Sequence, residues 1–94
     1  MTIRLEYAGP LRSLLERMED RVPFADGDTV LSMLARVAGT LPEKAKPHLL
    51  TENGHLQPSL IIAINGTASA AAQAETHALV DGDEVVLLPP IAGG

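Results

Sequence analysis

Asp81-Gly82-Asp83-Glu84-Val85-Val86-Leu87-Leu88-Pro89-Pro90-Ile91-Ala92-Gly93-Gly94 is the stretch that decides the fold of this chain. Asp81-Gly82-Asp83 is a tight turn, because glycine takes positive φ at no steric cost and aspartate bonds to nearby backbone. Glu84 to Leu88 follows as an almost unbroken apolar run. A strand that is apolar on both faces belongs in the middle of a sheet. Pro89 and Pro90 then end it, since proline fixes φ and has no N–H for a ladder.

The chain before it supplies the rest of a sheet. Thr2 to Ala8 alternates, with Ile3, Leu5 and Tyr7 on one side and Thr2, Arg4 and Glu6 on the other. That is a strand with one buried face. Gly9-Pro10 breaks it, and Leu11, Leu14, Leu15 and Met18 recur at helical spacing, which predicts a short turn of helix or a folded loop. Arg21 to Ala25 reads as a second strand with Val22 and Phe24 inward, placed at a sheet edge by Pro23. Asp28 or Thr29 caps a helix whose apolar stripe is Val30, Leu34, Val37, Ala38 and Leu41, ending at Gly39 or Pro42. Residues 42 to 58 are punctuated by prolines and carry a turn at Glu52-Asn53-Gly54-His55. Leu60 to Asn65 reads as an interior strand. The alanine-rich Ala68 to Ala78 reads as a loop or a turn of helix.

The expected order is therefore β-β-α-irregular-β-β. With the last strand beside the first and parallel to it, one main helix packs across one face of a mixed sheet. That is an α+β fold, the ubiquitin-like β-grasp. Residues 1–88 form the domain in this reading, and 89–94 a flexible C-terminal Gly-Gly tail.

Composition narrows the function. Ninety-four residues with two aromatics, Tyr7 and Phe24, make one small domain with an aliphatic core. No cysteine is present, which excludes disulfides and thiolate metal sites and fits a cytoplasmic protein. The longest apolar stretch, Leu60 to Ile64, is too short to span a bilayer, so no membrane partner is expected. All seven Lys and Arg lie at or before Lys46, balanced there by seven acids; beyond it stand five acids and no base. Nucleic acid is thus a poor partner for the C-terminal half. A protein with a basic face suits it better, unless the acids form only a generic soluble surface. His48, His55 and His77 have no metal-ligand spacing and read as loop histidines, so no metal site is expected. No nucleophile elbow or phosphate loop occurs, and the chain is not expected to be an enzyme alone.

The Asp81–Val85 turn and the Leu87–Gly94 ending resemble the MoaD/ThiS family of sulfur carriers. They look most like the small subunit of molybdopterin synthase. Ile64-Asn65-Gly66 fits the same pattern more weakly, and Asn53-Gly54-His55-Leu56-Gln57-Pro58 resembles a turn of longer relatives. Residues 42–59 make the chain longer than compact molybdopterin-synthase subunits, and the alanine-rich 68–78 departs from the family.

The resemblance implies a cycle. An E1-like adenylating enzyme uses ATP to activate the Gly94 carboxylate, with Gly93 leaving it unobstructed. A sulfurtransferase then replaces AMP with sulfur, giving a C-terminal thiocarboxylate. The large catalytic subunit of molybdopterin synthase, or another sulfur-accepting enzyme, receives the tail. No cofactor is expected to be bound; ATP belongs to the activating partner. Pro89, Pro90, Ile91 and Ala92 would be gripped by partners, the prolines reducing the entropy lost on insertion. Six residues beyond Leu88 reach about 20 Å when extended. If Val85 and Leu87 face the helix, Val86 and Leu88 emerge on the other side as a partner-binding patch.

Other pathways remain open at this level: sulfur supply for cysteine, thiamine or tRNA thiolation. So does a ubiquitin-like modifier, in which Gly94 forms an isopeptide bond with a lysine. A non-covalent ubiquitin-like binding module with an incidental Gly-Gly ending is the reading from another class.

Overall fold

Five strands form one mixed sheet, and the apolar run at its heart is the last of them. The structure is a computed structural model that describes residues 1–89. In chain order the elements are β1 (Thr2–Tyr7), α1 (Leu11–Leu15), β2 (Glu19–Pro23), α2 (Val30–Ala38), β3 (Ile61–Ile64), β4 (Thr67–Ala70), α3 (Ala71–Ala74) and β5 (Glu84–Leu88). The sheet order is β2-β1-β5-β3-β4. β5 runs parallel to β1, with Leu5 opposite Val85, and antiparallel to β3, with Ile62 opposite Leu87. This is the ubiquitin-like β-grasp.

Alternation along the strands divides the molecule. Ile3, Leu5, Tyr7, Ile62, Val85 and Leu87 point to one face and are almost fully buried. α2 lies on that face, contributing Val30, Met33, Leu34 and Val37 to the same cluster. Its start is well satisfied. Thr29 is the N-cap: its hydroxyl accepts from the Ser32 N–H, and the Ser32 hydroxyl accepts from the Thr29 N–H. The Val30 and Leu31 N–H groups donate to the carbonyls of His77 and Glu75, so the first turn leaves none of these donors bare.

Three local expectations need correction, and the irregular segment gains a role. The second strand is Glu19–Pro23 rather than 21–25; Val22 is buried and Phe24, past the strand end, is only partly so. Met18 leaves the apolar stripe and is 64% exposed, because α1 ends at a left-handed Glu16 and the chain turns away. The segment from 68 is neither a loop nor a turn of helix throughout: Thr67–Ala70 is an edge strand, and only Ala71–Ala74 is helical. Residues 42–60 are irregular apart from one 3-10 turn, Lys46–His48, yet they bury Ala45, Leu49, Leu56 and Leu60 against the core.

Candidate functional site: the open face of the sheet and the root of the tail

The face of the sheet away from α2 carries no helix among the described residues, and its chemistry is split in two. Glu19, Arg21, Arg4, Glu6 and Glu84 occupy the β2–β1 side, by the register of the strands. Val86 and Leu88 of β5 lie beside Ala63 and Ile61 of β3, and Ala68 and Ala70 of β4 continue the row. Val86, Leu88, Ile61 and Ala63 are half-buried, while Ala68 and Ala70 are exposed. The result is an apolar shelf bordered by charge. A shallow hollow of about 230 Å³ lies at the border, between Arg4, Glu6, Ala63 and Val86.

Arg4 organises the charged side. Its guanidinium reaches Glu19 at 3.0 Å, Glu6 at 3.0 Å and Glu84 at 3.2 Å. The hydrogen bond to Glu19 is the main cause holding it more firmly protonated than usual. With Arg21 opposite Arg4, two cations stand against three carboxylates on this border. The pairs are solvent-exposed and individually add little stability. Their effect is on which surface can approach.

The turn entering β5 is pinned from inside. Asp83 is 4% exposed and accepts from Asn65 Nδ2 at 2.9 Å and from the Val80 N–H at 3.0 Å, with His77 Nε2 at 3.1 Å. Burial pushes this carboxyl up, but the bonds from Asn65, Val80 and His77 outweigh it and hold it below the usual range. Asn65 also accepts from the Glu84 N–H at 2.9 Å and sits at φ 50°, with Gly66 at φ 88°. The Asn-Gly and Asp-Gly-Asp-Glu motifs are thus one structural clamp, joining the β3–β4 hairpin to the start of β5. Sequence reading took Asp83 for turn chemistry and His77 for a loop histidine. The interlock of the two motifs was the signal it missed.

At the other end, β5 delivers the tail. The Ala8 N–H donates to the Leu87 carbonyl at 3.0 Å, continuing the ladder past β1. Pro89 is half-buried against Gly9, where an added Cβ would stand 3.5 Å from Pro89 Cγ. Gly9 has φ 57°, which suits glycine at this turn. Pro89 also lines a hollow of about 360 Å³ with Leu11, Leu14, Pro47 and Leu60. Of the expected site residues, Val86 and Leu88 lie together on the shelf and Pro89 at its end. Pro90, Ile91, Ala92, Gly93 and Gly94 lie outside the described residues.

The histidines are dispersed. His48 is exposed in the 3-10 turn, His55 lies 3.0 Å from Glu75, and His77 faces Asp83. Among the described residues no group of three or more His, Cys, Asp or Glu side chains could hold a metal. Nor is any helix there long and apolar enough to cross a membrane.

Solved structures share this fold over their whole length. Small archaeal modifier protein 1 of Haloferax volcanii matches with a TM-score of 0.80 at 23% identity, covering 96% of this chain and 98% of that one. A chain of the BexX/CysO complex of Amycolatopsis orientalis matches with a TM-score of 0.72 at 21% identity, covering 98% and 99%. A protein provisionally named molybdopterin converting factor subunit 1, from Pyrococcus furiosus, matches with a TM-score of 0.68 at 19% identity, covering 97% and 99%. No curated protein sequence matches significantly. A sequence profile described as the ThiS family matches residues 5–94, and on that match the chain belongs to the ThiS family of sulfur carriers.

Proposed function

We propose that this protein is a sulfur carrier in which residues 1–88 are the handle and residues 89–94 the delivered tail. An E1-like enzyme adenylates the Gly94 carboxylate with ATP, and a sulfurtransferase exchanges AMP for sulfur, leaving a thiocarboxylate. Gly93 adds no side chain that would obstruct either step. The carrying observation is the direction of β5: it is the central strand, it ends at Leu88, and its outward residues Val86 and Leu88 form the apolar shelf next to the tail. A partner that grips the shelf stands beside Leu88 and Pro89, the residues from which the tail continues. Pro89, Pro90, Ile91 and Ala92 are the residues it would hold while the carboxylate enters its active site.

The Pro-Pro-Ile-Ala-Gly-Gly ending favours molybdopterin synthesis as the pathway, with the large catalytic subunit of molybdopterin synthase as acceptor, in the cytoplasm. The chain alone is then not an enzyme and binds no cofactor of its own. A second reading is favoured by a specific likeness. The match to a small archaeal modifier protein covers nearly all of both chains, and a modifier uses the same activated Gly94 to form an isopeptide bond.

The test is the intact mass of the protein after incubation with an E1-like adenylating enzyme, ATP and a sulfur donor. A gain equal to the difference between sulfur and oxygen, localised to Gly94, is expected. An unchanged mass with several competent enzymes would remove the carrier reading. Covalent conjugates to lysine in cells would select the modifier.

A further inference from the structure

The hollow of about 360 Å³ beside Pro89 is built from other parts of the chain than the shelf. It lies between the start of α1 and the irregular segment. Leu11 and Leu60 in its lining are buried members of the core, Leu14 is half-buried, and Pro10 and Pro47 are exposed. Among the described residues no acidic side chain lines it, in a chain with twelve acids. A terminal carboxylate is therefore not repelled by the lining. Pro89 is itself part of that lining, and the chain continues from it as Pro90-Ile91-Ala92-Gly93-Gly94.

We propose that this hollow is a docking site for the chain's own tail, with the Ile91 side chain as its occupant. Reach favours it. Two residues span at most about 7 Å, so Ile91 stands no farther than that from Pro89 along the backbone. Chemistry favours it too, since Ile91 has the only branched aliphatic side chain in residues 90–94 and the hollow offers it leucines and prolines. Tethering then selects Ile91 over a foreign side chain. A short link raises its local concentration to the order of millimolar. Pro89 and Pro90 have φ already fixed, so less entropy is lost on docking. The docking goes beyond the carrier reading, and only its consequence rests on that reading. With Ile91 seated, Gly94 lies three residues farther on, at most about 11 Å away. The carboxylate is held close to the domain, and an activating enzyme must displace Ile91 before the tail can extend into its active site.

The probe is the full chain with isotope-labelled isoleucine and leucine methyls, followed by NMR. Nuclear Overhauser contacts from the Ile91 δ-methyl to the Leu14 and Leu60 methyls are expected, independent of protein concentration. Ile91→Asp should abolish them and shift the Leu14 and Leu60 methyls. Ile91→Ala should weaken docking roughly three- to tenfold, the loss of about half the burial of an isoleucine side chain. That change is read from how far the Leu14 and Leu60 shifts move toward those of the aspartate variant. Absence of the contacts in the parent chain overturns the proposal. Contacts to Leu88 and Ile61 in their place also overturn it, by putting Ile91 on the shelf. So do contacts that grow with protein concentration, which make the tail of a second copy the occupant. If Ile91→Asp fails to fold, the contacts of the parent chain decide alone. They are measured without any enzyme, whereas the Gly94 mass gain requires one, so failure of the docking is distinguishable from failure of the carrier reading.

Discussion

Replacing Asp83 by alanine tests whether the clamp at the start of β5 is structural. The carboxylate is 4% exposed and takes bonds from Asn65 Nδ2, the Val80 N–H and the His77 side of the pocket. A hydrogen bond to a charged acceptor contributes about 1.5–3 kcal/mol net. Asn65 is exposed and regains water once released, and His77 is half-exposed, so the lower end applies. Counting only the two unambiguous donors, Asn65 Nδ2 and the Val80 N–H, gives a loss of about 3 kcal/mol. For a domain this small that corresponds to a fall in Tm of about 12–24 °C. Asp83→Asn keeps one acceptor oxygen and should recover about half of the loss. Urea unfolding followed by far-ultraviolet circular dichroism measures both, and the m-value should stay constant. The linkage has a definite sign. The Asp83 carboxyl is held below its ordinary range in the folded protein. Its contribution is therefore present above the unfolded value of about 4 and is lost as pH falls below it. The gap between the parent and Asp83→Asn should close on acidification. A loss under about 1 kcal/mol for the alanine variant, or a gap that widens in acid, would refute the clamp.

Three further outcomes follow from the same geometry. Leu88→Glu should leave the unfolding midpoint within about 0.5 kcal/mol of the parent, because Leu88 faces outward, and should abolish measurable binding to an activating enzyme by calorimetry; collapse of the fold would place Leu88 in the core instead. Thr29→Ala removes the N-cap of α2 and should cost about 1 kcal/mol by urea unfolding. Asp28, hydrogen-bonded by Arg36, the Ala25 N–H and Ser32, has its carboxyl lowered to about 2. Its contribution should persist down to about pH 4 and disappear between there and pH 2, so Asp28→Asn should flatten the acid limb of the stability profile.

Much of this architecture was legible because single residues forced it. Val85 to Leu88 read as a central strand apolar on both faces, and the structure places it there, burying Val85 and Leu87 and leaving Val86 and Leu88 half-buried. Thr29 before the stripe starting at Val30 announced the helix. β4 was illegible by composition, since alanine and serine are weak strand formers. It is a strand because Asn65-Gly66, with φ of 50° and 88°, forces the chain back along β3. That dipeptide is among the clearest hairpin signals and was read only as the end of a strand. The buried leucines of residues 42–60 were illegible for another reason: they follow no period, and tertiary contact alone places them. The shelf was half legible. Val86 and Leu88 followed from alternation, whereas Ile61, Ala63, Ala68 and Ala70 join them only through register. The charged border around Arg4 depends on three strands meeting and had no local signature.

The parallel pairing of β1 with β5 has a kinetic side. Arg4 lies opposite Glu84, so the central ladder closes a loop of some eighty residues. Contacts this distant along the chain are slow to form, because loop entropy is lost before any bond is gained. β4 pairs with β3 locally, but the other edge of β3 stays bare until β5 arrives. The shelf is assembled from β5, β3 and β4 and does not exist in a partly folded chain. An enzyme that grips it before acting on the tail would thereby inspect the whole domain, and unfolded copies would pass unactivated.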